Sequence, residues 1–230
     1  MTPEALAGAL EATWPPARRW QVGPFCLRDG AGGGKRVSAA TVEGPWHEAD
    51  LTAAEAAMAE RLFMIRAEDT ALDAALAGRG YRVIDPVVCH AVATDALAVP
   101  APFTTFPHWP PLQIARDIWE VGHIGPARIA VMERVQGPKV AILSRAADRP
   151  SGIAFVAVHG RIALLHALEV SPQHRRRGSA CNILRAAAHW AREQGADGLA
   201  LAVTTANVPA NALYAALGMT VVSRYHYRQK

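Results

Sequence analysis

Three arginines, Arg175, Arg176 and Arg177, run directly into the small residues Gly178, Ser179 and Ala180. An apolar stretch, 162–170, broken only by His166 and Glu169, leads into them and predicts a strand. An alanine-rich amphipathic stretch, 181–194, leads out and predicts a helix. The first turn of a helix carries backbone N–H groups with no intrahelical partner, and its dipole favours negative charge. Small side chains let a pyrophosphate approach that backbone, and the arginines add positive charge beside it. The alternative is a basic turn joining a strand to a surface helix.

A second constellation follows one predicted strand later: Asn207, Ala210, Leu213, Tyr214 and Gly218, in the spacing Asn-x-x-Ala-x-x-Leu-Tyr-x-x-x-Gly. Together the two resemble the GNAT family, the GCN5-related N-acetyltransferases. The family's first motif, Arg/Gln-x-x-Gly-x-Gly/Ala, stands here as Arg175-x-x-Gly178-x-Ala180, preceded by Val170-x-Pro172. Its second motif is matched at every fixed place except the last, where Met219 replaces Phe. The resemblance covers roughly residues 112–230. It implies an α/β (α+β) fold, a mixed and mostly antiparallel sheet flanked by helices, with the central strands splayed around acetyl-CoA.

The resemblance further implies transfer of the acetyl group of acetyl-CoA to a primary amine by direct attack in a ternary complex. Cofactor contacts fall on the strand edge Leu168, Glu169 and Val170, and on the turn Arg175, Arg176, Arg177, Gly178, Ser179 and Ala180. They fall also on Asn207, Asn211 and Tyr214. Tyr214 is the expected acid for the departing thiolate, a phenol with pKa about 10; otherwise it is a core tyrosine beside Leu213 and Leu217. Period-two alternation puts Leu164, His166, Leu168 and Val170 on one face of their strand and Glu169 on the other. Where many relatives keep a carboxylate base, this chain has Leu164. His166 is the expected base, since its ordinary pKa near 6.5 suits the work, or else a satisfied buried histidine. Glu169, Glu120 and Glu133 are outside candidates. A non-catalytic acyl-CoA-binding or regulatory protein, and transfer of a longer acyl group, remain alternatives.

The chain has 230 residues, 51% of them hydrophobic and 19% charged, with a net charge of +4. That composition supports a sizeable core and argues against disorder. Dispersed arginines, apart from 175–177, leave no nucleic-acid stripe and suit small anionic ligands. The three cysteines, Cys26, Cys89 and Cys181, form no C-x-x-C pair, so reduced thiols in a cytoplasmic protein are expected, with no metal site. Residues 1–10 lack the basic start of a secretory signal, and no apolar run is long enough to span a membrane. The amine acceptor is not specified by the residues, and a monomer or homodimer is expected.

The elements that must position this chemistry are read from periodicity and turn residues. Helices are expected at 3–13, 51–61, 69–77 and across 112–134, the last broken at 122–126. Strands are expected at 20–28, 37–42, 62–65, 81–93, 139–146, 152–158, 199–204 and 220–228, with Pro86 marking a bulge or an edge. The stretch 30–35 is glycine-rich but lacks Ser or Thr after Lys35 and precedes a strand, which excludes a phosphate loop. Ala71-Leu72-x-x-x-Leu76 with Gly80-Tyr81-x-Val83 echoes Ala212-Leu213-x-x-x-Leu217-Gly218-Met219-x-Val221. The first half therefore looks like a degenerate GNAT-like repeat, 1–99, joined by a proline-rich linker, 100–111, to a GNAT domain, 112–230. Its counterpart of the phosphate turn, Glu43 to Glu48, has no arginine, so one acetyl-CoA per chain is expected. An unrelated small α/β domain is the other possibility for this half. Phe103, Phe106, Trp109 and Trp119 are candidates for an acceptor wall or for an interface between the halves.

Overall fold

In the computed structural model, which describes residues 1–230, each half of the chain gives its last strand to the other half's sheet. The first half runs α1 (Pro3–Ala12), a hairpin of β1 (Arg18–Val22) and β2 (Phe25–Asp29), and a 3-10 turn at Lys35–Val37. It continues with β3 (Thr41–Val42), α2 (Glu48–Ala57), β4 (Leu62–Arg66), α3 (Thr70–Gly78) and β5 (Arg82–Ala93). The second half begins with β6 (Thr105–His108), α4 (Gln113–Val121) and α5 (Pro126–Arg134). Then come β7 (Lys139–Ala146), β8 (Arg149–His159), β9 (Ile162–Val170), α6 (Ser179–Glu193), β10 (Gly198–Thr204), α7 (Val208–Ala216) and β11 (Thr220–Gln229).

Eight strands form one sheet in the order β4-β11-β5-β10-β9-β8-β7-β6. Only β9 and β10 are parallel neighbours; every other pair is antiparallel. The mixed, mostly antiparallel sheet and the tandem halves agree with the sequence expectation. β5 ends the first half yet pairs with β10 of the second; β11 ends the second yet pairs with β4 of the first. The two exchanged strands also pair with each other. A smaller sheet, β1-β2-β3, meets the large one through a single parallel bridge, Ala40 to Phe63.

The sheet is apolar on both faces and is covered accordingly. α6 lays Ile183, Leu184, Ala187 and Ala188 over Val140, Val156, Leu165, Leu199 and Leu201. The other face carries Ala141, Ile153, Phe155 and Ala157 under Trp119 and Met132 of α4 and α5, with Trp14 beside them. α1 packs where the halves meet: Leu6 and Ala9 join Leu164, Val87, Ala200 and Tyr225. Burying large apolar side chains at roughly 1.5–3 kcal/mol each makes this shared core a strong tie between the halves.

Several local expectations change. Residues 20–28 are a hairpin rather than one strand, because Gly23 takes φ +55° and turns the chain. Of 37–42, Val37 ends a 3-10 turn, 38–39 leave it, Ala40 makes the bridge to Phe63, and only Thr41–Val42 is a strand. Within 100–111, β6 pairs along β7, so the expected linker is built into the sheet edge. The exchanged strands likewise leave no boundary at 99 or 112 that the sheet respects. Pro86 does lie at a bulge, next to Asp85 at φ +43°, although β5 is an interior strand.

Candidate active site

β9 and β10 pair in parallel from Ile162–Gly198 to Leu165–Leu201 and then separate. The separation has a local cause. Ala167 adopts φ +52°, and the register of β9 against β8 jumps from His166–Phe155 to Glu169–Ile153. This bulge twists the end of β9 away from its neighbour. The indole Nε1–H of Trp119 donates to the Ala167 carbonyl at 2.8 Å, which holds the bulge from below. The side of β9 that faces β10 is unpaired beyond Leu165, leaving a strand edge open to an extended ligand.

The bulge also corrects the facing of side chains expected from simple alternation. Leu164 packs under α1, whereas Leu168 packs with the α6 cluster on the opposite face. His166 stays on the α1 side, 4.9 Å from the Trp14 ring centre and 6.2 Å from that of Phe155. Glu169 lies against Gly122, in the turn between α4 and α5, and pairs with Arg175 at 3.2 Å.

At the end of β9 the chain makes a 3-10 turn, Pro172–His174, and enters α6. Gly178 takes φ +83°, which only glycine adopts without strain, and a Cβ built there would meet nothing within 4 Å. The first intrahelical bond is Asn182 N–H to Gly178 O. The N–H groups of Ser179, Ala180 and Cys181 therefore precede the first intrahelical bond, at the positive end of a 15-residue helix. The Ser179 hydroxyl donates to Ser151 at 2.9 Å, tying this end to β8. These features fit a pyrophosphate. The three arginines are not equivalent: Arg175 donates to the Val170 carbonyl and Glu169. That leaves Arg176 and Arg177 for an anion.

α7 starts at Asn207, whose side-chain oxygen accepts from Ala210 N–H at 3.2 Å. Asn211 donates to the carbonyls of Thr204 and Asn207 and accepts from His90 Nε2 at 3.0 Å. Both asparagines thus shape the helix start, and the exchanged strand β5 supplies the third tie. Tyr214 packs against His90 with ring centres 5.5 Å apart, and burial pushes its phenol up to about 12.

On the α1 face, at the mouth of the splay, lies a cleft of about 240 Å³. β9 and β10 contribute His166, Ala167 and residues 202–204; the first half contributes Trp14, residues 33–36, Asp85 and Val87. His166 is fully buried within this wall. Its Nε2 lies 2.9 Å from Thr13 Oγ1, whose own proton goes to Ala9 O at 2.6 Å. The hydroxyl must therefore accept from Nε2–H, which leaves Nδ1 as the acceptor for Arg36 Nη1 at 3.2 Å. Burial, and then the Arg36 charge, hold the imidazole pKa well below its ordinary value. His166 is neutral, yet the lone pair that a base needs is occupied.

Several residues of this site carry no signal in sequence periodicity. Arg36, Thr13, Trp14 and Trp119 act through contacts that are remote in the chain, and Arg128 reaches the cleft from α5. Of the four aromatic candidates, Trp119 holds the bulge and Trp109 packs on Phe155 at 5.5 Å. Phe103 and Phe106 are exposed away from the cleft. Glu120 is exposed, Glu133 pairs with Arg116, and neither lines the cleft.

The chain is similar to known proteins. The sequence model of the acetyltransferase (GNAT) family matches residues 116–219. A curated relative, the uncharacterized N-acetyltransferase YobR of Bacillus subtilis, is 23% identical over 241 aligned residues that cover 95% of each chain. Among solved structures, the GCN5-related N-acetyltransferase from Kribbella flavida superposes with a TM-score of 0.76 at 20% identity, covering 100% of this chain and 96% of its own. A tandem GNAT protein from the clavulanic acid biosynthesis pathway superposes at 0.58 with 19% identity, covering 90% and 77%. No helix of the protein is long and apolar enough to cross a membrane.

Proposed function

We propose that this chain, whose residues 116–219 match the GNAT acetyltransferase family model, moves the acetyl group of acetyl-CoA to a primary amine at the β9–β10 splay. The observation that carries this reading is the presence of three features at and around the end of β9. They are the open phosphate cradle at Gly178–Cys181, the unpaired edge of β9, and the cleft beyond His166 and Ala167.

Arg176, Arg177 and the α6 N–H groups hold the pyrophosphate. Residues 168–170 pair with the pantetheine arm as a further strand would. The amine nitrogen attacks the thioester carbonyl carbon, the C–S bond breaks, and the sulfur leaves as thiolate. Tyr214, raised to about 12, remains a phenol at every working pH and donates a hydrogen bond to that sulfur. The ammonium proton goes to water in the open cleft, since the His166 lone pair is engaged by Arg36. His166 is then a positioning residue for Arg36 rather than the base.

Release of free CoA thiol in the presence of acetyl-CoA and an amine panel tests the reading. The expected result is amine-dependent release. Tight binding of acetyl-CoA with no discharge by any amine would favour a binding protein instead. A cytoplasmic location with reduced Cys26, Cys89 and Cys181 is part of the same proposal.

A further inference from the structure

The first half has no phosphate cradle of its own, yet it builds most of one wall of the cleft at the splay. The charges it brings are informative. Four charged side chains line that cleft: Lys35, Arg36, Asp85 and Arg128. Lys35 and Asp85 neutralise each other at 2.8 Å. Arg36 and Arg128 remain, and no carboxylate answers either. Arg36 is braced by the His166 ring nitrogen and lies 5.9 Å from the centre of the Trp14 ring, and its Nε–H is buried with no partner. Arg128 approaches from α5, next to the backbone of Gly34. Tyr225 and Tyr227, the other titratable groups lining the cleft besides His166, are held neutral, their phenols pushed up by burial.

A simple alkylamine or polyamine arrives as a cation, and two uncompensated arginines in a concave site repel it. An amine that brings its own anionic group reverses that balance. A planar guanidinium matches a carboxylate with two parallel hydrogen bonds, and the contact gains strength in a partly desolvated cleft. A volume of about 240 Å³ suits a small molecule rather than a folded protein surface.

We propose that the acceptor is a small amine bearing a carboxylate, an amino acid or a close relative, with the carboxylate held between Arg36 and Arg128. This rests on the acetyl-transfer reading above and names its acceptor class. The first half, having no pyrophosphate site, serves as the acceptor-recognition wall of the second. Arg36 is fixed by His166; Arg128 is exposed and can move to close on the ligand.

The test uses matched acceptors that differ only in the carboxylate: amino acids against their carboxamides, and lysine against its decarboxylated diamine. Acetyl-CoA binding is measured separately by calorimetry, so that a failure of the cofactor site is read on its own. The expected result is a kcat/KM at least ten-fold higher for each carboxylate-bearing member. In Arg128→Gln that preference should collapse towards one, through a raised KM for the acid. Arg128 is a surface residue, so the variant folds; thermal unfolding checks this. Equal or reversed preference in the parent protein overturns the proposal. So does a preference that survives in both Arg128→Gln and Arg36→Gln, or a panel in which only phosphate-bearing amines react. Acetyl-CoA that binds but is discharged by no carboxylate-bearing amine overturns it as well.

Discussion

Arg36 and His166, 130 positions apart in the chain, meet at 3.2 Å between a guanidinium nitrogen and the imidazole Nδ1. The contact joins the first half's glycine-rich loop to the central strand of the second. It fixes the imidazole as the Nε2–H tautomer, because Thr13 can only accept on the other side. It also explains how a histidine on the expected catalytic strand can be unsuited to catalysis: its one lone pair is already used.

A stability prediction follows with a definite sign. The folded pKa of His166 is lowered, by burial first and by Arg36 second, from an ordinary value of 6.5. The unfolded chain therefore binds a proton that the folded chain refuses, and stability falls as pH drops below 6.5. Tm measured from pH 7 to pH 5 should fall more steeply for the parent protein than for His166→Gln, so the gap between them narrows on acidification. A gap that stays constant would mean His166 is not held neutral.

Tyr214→Phe should slow acetyl transfer by roughly 10²- to 10⁴-fold, the usual range for loss of a general acid or comparable donor. With the phenol raised to about 12, the donor is fully protonated throughout the accessible range. The deficit should therefore be the same at pH 6.5 and pH 9. A pH–rate profile for parent and variant checks this; a deficit that disappears at one end of the range contradicts the assigned role.

The Trp119 indole of α4 donates to the Ala167 bulge carbonyl at 2.8 Å. Trp119→Phe keeps most of the packing but removes the donor from that half-buried carbonyl, at a cost of about 1 kcal/mol. Denaturant unfolding should show that loss, and kcat should fall along with it, because the bulge sets the splay. Unchanged kcat in a destabilised but folded variant would separate the bulge from the chemistry.

What the sequence makes legible here is what lies close together in the chain. The turn Arg175 to Ala180 and the stretch Asn207 to Gly218 each carry their spacing locally, so the start of α6 and the helix bearing Tyr214 are legible from residues alone. The tandem echo between Leu72–Leu76 and Leu213–Leu217 was visible for the same reason. Strand exchange was not, because alternation marks β5 and β11 as strands without naming their neighbours. The bulge at Ala167 was hidden too: alanine has no special liking for φ +52°, and only the Trp119 bond and the register against β8 reveal it. Arg36 reads as one more charge after a glycine run, since its partner lies 130 positions further along the chain.

The central claim is that one acetyl-CoA binds, with its pyrophosphate against the N–H groups that follow Gly178. Calorimetric titration of acetyl-CoA into the parent protein and into Gly178→Val tests it most directly. Valine at φ +83° costs roughly 1–2 kcal/mol in backbone strain, which a Tm measurement will register, but its side chain also fills the open approach to the cradle. The account predicts one site per chain in the parent and no measurable binding in the folded variant. Two sites in the parent, or undiminished affinity in folded Gly178→Val, would contradict it.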